Sequence, residues 1–105
     1  MHARMHTLGT TPEQHDHGEQ LVREEILPWL RDSTGFRGMI RLATRDRTKV
    51  LLITLWADEE AFQKSAEAGK RFAELTASTT GSTRVALEDY EVTFFDVVMN
   101  DERPS

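Results

Sequence analysis

VLLITLW, residues 50–56, decides the fold. In an extended chain Val50, Leu52, Thr54 and Trp56 point to one side and Leu51, Ile53 and Leu55 to the other, so this stretch is apolar or β-branched on both faces. Strands of that kind are covered front and back. The next residues turn polar at once. Asp58 can cap a helix, with Glu59 and Glu60 in its first turn, where the helix dipole favours negative charge. Phe62, Ala66, Gly69, Phe72 and Leu75 or Thr76 then recur at helical spacing. Glu60–Lys64 and Glu67–Arg71 lie four apart on the wet side. STTGST, residues 78–83, ends the helix.

Upstream of residue 50, RDRTK (45–49) reads as a hairpin loop and FRGMIRLAT (36–44) as its other strand. Alternation there puts Phe36, Gly38, Ile40 and Leu42 on one face and Arg37, Met39, Arg41 and Ala43 on the other. DSTG (32–35) is a turn. Before it, the spacing predicts a helix over 12–31. Thr11 is its N-cap, Pro12 its first residue and Gln14 the far member of a capping box. Its stripe is Gly18, Leu21, Val22, Ile26, Trp29 and Leu30, and Pro28 predicts a kink or an early stop near Leu27. Residues 2–8 form a first strand ended by Gly9. Alternation leaves open which set faces the helices; Ala3 and Met5 suit the helix side, which sends Arg4 and His6 to the other. A last strand is expected over ALEDYEVTFFDVV (86–98), followed by a flexible tail, MNDERPS, at 99–105.

The order βαββαβ is that of the α+β ferredoxin-like fold: an antiparallel four-stranded sheet with both helices on one face and strands one and three in the centre. Residues 1–98 make a single domain. Two helices cover one face of such a sheet, yet strand three is apolar on both and strand four carries aromatics on both. The bare face would be a large apolar patch. A second copy packed sheet to sheet, as a two-fold homodimer, removes it.

Bulk composition excludes several classes. There is no cysteine among the 105 residues, hence no disulfide, thiolate metal site or thiol nucleophile. A formal net charge of −5 argues against nucleic acid and against an anionic membrane surface as partners. The N-terminus lacks a signal-peptide pattern, and the expected location is cytoplasmic. No phosphate-cradling glycine loop or nucleophile elbow occurs.

TLGTTPEQ (7–14), EILPWLRDSTGFRG (25–38), LLITLWADEEAF (51–62) and LEDYEVTFF (87–95) resemble the antibiotic biosynthesis monooxygenase-like group of the dimeric α+β barrel superfamily. The resemblance runs over roughly residues 2–97. Its most recognisable pieces are Gly35-Phe36, the Trp56-to-Glu60 turn and Tyr90-Glu91-Val92. It implies a homodimer whose two sheets form one barrel, and a ligand pocket between the sheet and the two helices of each protomer. Family enzymes oxidise polycyclic aromatic phenols without metal or flavin, so no cofactor is expected. Others degrade haem, using an Asn on the first strand and a Trp and a His on the second helix. Here the first strand has no Asn, and Lys64 and Glu74 stand near the helix positions, which argues against haem degradation. The Asn and Trp of the phenol oxidisers lack obvious counterparts.

The candidate pocket is therefore Trp56, Phe62, Gly69, Phe72 and Tyr90, with Arg4 and Arg41 as anion contacts and His17 as the candidate base. Each has a plainer reading. Trp56 can be an apolar plug with its indole N–H bonded to a nearby carbonyl, and Tyr90 a core tyrosine. Arg4, Arg41 and Glu91 can form a structural ion-pair network. Gly69 can serve close helix–sheet packing or leave room for a ligand. His17, four before Leu21, can be a half-exposed helix histidine. No metal site is expected: His2 and His6 lie about 13 Å apart at strand rise, and His15 and His17 diverge around a helix. Two functions stand at this point. One is a homodimer that binds a small apolar or aromatic molecule and oxidises it without a cofactor. The other is a non-catalytic structural or interaction dimer of the same fold.

Overall fold

The structure, a computed structural model, describes residues 1–80 and 83–98, and all their side chains except those of 68, 72, 73, 75–80, 83 and 84. The expected tail, 99–105, lies outside the described residues, as does the side chain of Phe72. The elements are β1 (His2–Gly9), α1 (Pro12–Leu21), a π-helical turn (Val22–Ile26), α2 (Leu27–Arg31), β2 (Phe36–Ala43), β3 (Lys49–Trp56), α3 (Glu59–Thr80) and β4 (Thr83–Glu91). The four strands form one antiparallel sheet in the order β2-β3-β1-β4, with β1 and β3 central, and the helices cover one face. This is the ferredoxin-like α+β arrangement.

Local chemistry starts and stops the helices as their caps require. Thr11 Oγ1 accepts from the Gln14 N–H at 3.2 Å, and Pro12 occupies the first turn. Asp58 Oδ1 accepts from the Ala61 N–H at 2.8 Å. Pro28 does not stop the first helical segment. The chain widens instead into a π-helical turn, where the Leu27 N–H reaches back to the Val22 carbonyl, and then resumes as α2. Widening removes the clash between a proline ring and the carbonyl four residues earlier. Gly35 ends the connection to β2 at φ +83, where a Cβ would sit 2.3 Å from that of Ala61. Only glycine lets the loop pass so close to the start of α3.

The sheet's two faces are assigned by side-chain contacts. Arg4 reaches Ser65 and Phe62 of α3, so His2, Arg4, His6 and Leu8 face the helices and Ala3, Met5 and Thr7 face away. This reverses the expectation for β1. The small residues of α3, Ser65 and Gly69, leave depth for the long polar side chains beneath them. Val50, Leu52, Thr54 and Trp56 share the helix side, and the core joins Leu8, Val50, Leu52 and Trp56 to Leu21, Val22, Ile26, Leu30 and Ala61.

Two further expectations change. A register shift between Phe36 and Gly38 flips Phe36 onto the helix side, with Met39, Arg41 and Ala43, rather than beside Ile40 and Leu42. The last strand is shifted towards the N-terminus. It ends at Glu91, opposite His2, the first residue of β1. Beyond it the Val92 N–H still reaches the Met1 carbonyl at 2.8 Å. Phe94, Phe95, Val97 and Val98 follow, all exposed.

The outer face is apolar as expected. Ile40 and Leu42 are exposed there, beside the part-buried Leu51 and Ile53. Among the described residues, no helix is long and apolar enough to cross a membrane.

Candidate functional site

Polar side chains are concentrated where the sheet meets α3. Arg4, His6, Thr54 and Ser65 are all at least nine-tenths buried. Such burial is unfavourable unless the groups find partners. Arg4 has several. Its Nε donates to Asp89 Oδ1 at 3.0 Å, its Nη1 donates to Ser65 Oγ, and its guanidinium lies 4.3 Å above the Phe62 ring. The Ser65 hydroxyl in turn donates to the Phe62 carbonyl. On its other side the Phe62 ring meets His2, with centroids 5.2 Å apart.

Trp56 is the largest fully buried side chain. Its indole N–H donates to Thr54 Oγ1 at 3.0 Å, so a hydroxyl two residues away on the same strand satisfies it, not the carbonyl expected. Phe36 meets it edge-on at 5.4 Å. Arg4, His6, Thr54, Trp56, Ser65 and Gly69, with Ile26, Trp29, Leu30 and Leu52, line a narrow cavity of about 10 Å³. That is about the room of one water molecule. Gly69 forms part of its roof: a Cβ there would lie 3.4 Å from His6 Cε1 and 3.7 Å from Arg4 Cδ.

The residues singled out in the sequence thus divide. Trp56, Gly69 and Arg4 line the cavity, and Phe62 packs on Arg4 beside it. Tyr90 pairs with Ala3 and lies on the opposite, outer face, exposed, where a hydrogen bond with Glu88 raises its phenol's pKa. His17 is exposed on α1 in an open depression beside Gln20, Glu24 and Glu25. Arg41 shares the helix side with Arg4, but β3 separates them: Arg41 is level with Leu52 and His6, and Arg4 with Thr54 and Met39. Glu91 is exposed opposite His2 and does not join them.

Sequence reasoning missed His6, Ser65, Thr54 and His15. For His15 a signal existed, since it precedes Gly18 by three and Val22 by seven and so continues the apolar stripe. It is buried, and Arg41 Nη1 approaches its Nε2 at 3.2 Å. Arginine only donates, so Nε2 accepts and the ring proton sits on Nδ1, directed at Asp16 Oδ1 3.3 Å away. Arg41 also donates to the His15 carbonyl at 3.2 Å and to Glu19 Oε1 at 3.5 Å. Burial lowers the pKa of its guanidinium. The Glu19 charge opposes that, Arg47 adds to it and Asp16 opposes it. Arg41 forms the floor of a second, open groove of about 680 Å³ between the α1–α2 segment and β2. Among the described residues, no three His, Asp or Glu side chains converge as a metal would require.

The fold is shared with solved structures. A monooxygenase from the gene ActVA-Orf6 of Streptomyces coelicolor, in complex with nanaomycin D, matches with TM-score 0.66 and 21% identity over 99% of this chain and 92% of that one. An antibiotic biosynthesis monooxygenase homologue from Deinococcus radiodurans matches with TM-score 0.70 and 20% identity over 94% and 99%. SnoaB, a cofactor-independent oxygenase from Streptomyces nogalater, matches with TM-score 0.66 and 14% identity over 90% and 94%. No curated protein matches in sequence. The model of one family, antibiotic biosynthesis monooxygenase, matches residues 1–73, well over half of the chain. The strand pairing, the buried Trp56 and this match agree, and the chain belongs to the antibiotic biosynthesis monooxygenase family.

Proposed function

We propose that the protein is a homodimer, paired through the outer face of its sheet, that oxidises a small aromatic phenol or hydroquinone with dioxygen and without a cofactor. The observation that carries the reading is the buried polar set Arg4, His6, Thr54 and Ser65, gathered around Trp56 under a helix glycine. Chemistry of this kind uses the substrate as its own electron source. A deprotonated phenol reduces dioxygen; a ring methylene becomes a carbonyl, one oxygen atom is retained and the other leaves as water. The protein has to accept a proton, hold a phenolate and exclude bulk water. His6 is the proton acceptor in this reading, in place of the exposed His17, and Arg4 the phenolate's counter-charge. Trp56 and Phe62 are the flat walls. Because the cavity holds only about 10 Å³, a substrate larger than water requires α3 and the sheet to move apart.

The second reading, a non-catalytic dimer, is favoured by that same small volume. Oxygen uptake separates them. With a panel of hydroquinones and phenols bearing a ring methylene, uptake should exceed autoxidation, persist with a chelator present, and fall at least tenfold in His6→Gln. That loss corresponds to the rate contribution of a general base, on the order of 10² to 10⁴. Uptake that never exceeds the buffer control would leave the structural dimer. Apolar exposure at Ile40, Leu42, Phe94 and Phe95 supports self-association in either case.

A further inference from the structure

The open groove differs from the inner cavity in size, charge and position. It lies between the α1–α2 segment and β2, and Arg23, Arg31, Arg37, Arg41 and Arg47 line it against a single carboxylate, Glu19. In a chain whose formal net charge is −5, that is a local reversal of sign. Glu19 is taken by Arg23, with Arg23 Nη2 at 3.2 Å, and lies 3.5 Å from Arg41. Among the described residues, no carboxylate pairs with Arg31, Arg37 or Arg47. The walls are apolar: Val22 and Leu27 on the helical side, Phe36 and Met39 on the sheet. A volume of about 680 Å³ is in the range of small-molecule sites.

Two details point the same way. Arg41 has five N–H donors. Its bonds to His15 Nε2 and Glu19 use Nη1, and that to the His15 carbonyl uses one hydrogen of Nη2. Among the described residues the Nε–H and one Nη2–H have no partner, and free guanidinium donors take a carboxylate or phosphate oxygen. Arg47 sits in the β2–β3 hairpin at φ +62, a left-handed conformation that suits glycine or asparagine. An arginine stands there, and its charge acts on Arg41. Like charges brought together between apolar walls repel, and an anion between them reverses the sign of that interaction.

We propose that this groove binds a small organic anion: a flat apolar body carrying a carboxylate or phosphate, the head held by Arg41 with Arg37 and Arg47, the body against Phe36 and Met39. The proposal is independent of the oxidation reading, which uses the other side of the helix–sheet layer.

The test is calorimetric titration of the full chain with 1-naphthoate, 1-naphthyl phosphate and the uncharged 1-naphthalenemethanol, at low and high salt. At least one of the two anions should bind, with the uncharged analogue weaker by on the order of tenfold or more, the scale of a charge-assisted hydrogen bond. Added salt should weaken the anion. The tighter of the two anions identifies the head group. Arg37→Gln and Arg47→Gly should each lower the anion's affinity several-fold. Glycine suits the backbone at position 47, so Arg47→Gly keeps the hairpin intact. Lys64→Gln, an equal change of charge on the exposed side of α3, should leave affinity unchanged. Equal binding of the uncharged compound, no binding of either anion, or arginine variants that behave like Lys64→Gln would overturn the proposal.

Discussion

Gly69→Ala separates room for a ligand from close helix packing. The residue is in the middle of α3, where glycine is less favourable than alanine by about 1 kcal/mol. If the glycine were needed for close approach to the sheet, a Cβ would collide with what lies beneath. It does not: the nearest atoms would be His6 Cε1 at 3.4 Å and Arg4 Cδ at 3.7 Å, ordinary contact distances. The added methyl therefore brings the helix-propensity gain without an overpacking penalty. A gain of about 1 kcal/mol in a domain of this size raises the thermal midpoint by roughly 4–8 °C. The same methyl occupies the roof of a cavity of about 10 Å³ and stands between His6 and anything entering it. The expected variant is more stable by thermal melting and inactive by oxygen uptake. Destabilisation would show that α3 already lies as close as it can, and that the glycine serves packing. A stabilised variant with full activity would show that oxidation happens elsewhere.

Gly35→Ala should be severe, because a Cβ 2.3 Å from that of Ala61 and a left-handed φ of +83 act together; about 2–4 kcal/mol should be lost in urea denaturation, from overpacking and backbone strain combined. Ile53→Lys places a charge at the middle of the outer face, between Met5 and Ile40, and should give a species of 12.0 kDa by light scattering, where the proposed dimer of the unaltered chain should give twice that mass. Asp46 accepts hydrogen bonds from Thr48 and Thr44, which hold its carboxyl below the usual aspartate range. Its folded pKa is thus depressed, so its stabilisation of the hairpin is present above the unfolded value and is lost as pH falls through the folded one. An NMR titration should give a midpoint below that of an unstructured aspartate, and Asp46→Asn should remove the dependence.

Elements were legible in the sequence because their signals are local: Thr11 before Pro12, Asp58 before two glutamates, and the alternation of 50–56 are each decided within a few residues. What depends on a distant partner was not. Nothing in VTFFDVV says that β4 stops at Glu91; its end depends on the pairing with β1, some ninety residues earlier. Phe36 changes face because of a bulge at its border with Gly38, a feature that simple alternation does not encode. Ala3 and Met5 were assigned to the helices on hydrophobicity alone, whereas the outcome followed from the small residues of α3, Ser65 and Gly69, which admit Arg4 and His6. Once β1 is read the wrong way round, His6 is lost as a site residue and Tyr90 is gained as one.

That parity has consequences at both ends of the argument. In β1 the two alternating sets differ in kind: His2, Arg4, His6 and Leu8 against Ala3, Met5 and Thr7. A slip of one residue would exchange them, because every side chain changes face together. Arg4 would then leave Ser65 and Phe62 and enter a face centred on Leu51, Ile53 and Leu55, where a second copy would have to bury its charge. In the observed register the charged groups lie under α3, with Asp89 and Ser65 as hydrogen-bond partners, and the face left for association carries aliphatic side chains across its centre. The choice that creates a polar cavity on one side of the sheet is the one that clears the other side for a dimer. A variant that weakens the first by replacing Arg4 with an aliphatic residue need not disturb the second, so the proposed catalysis and the proposed association should be separable by mutation although a single register sets both.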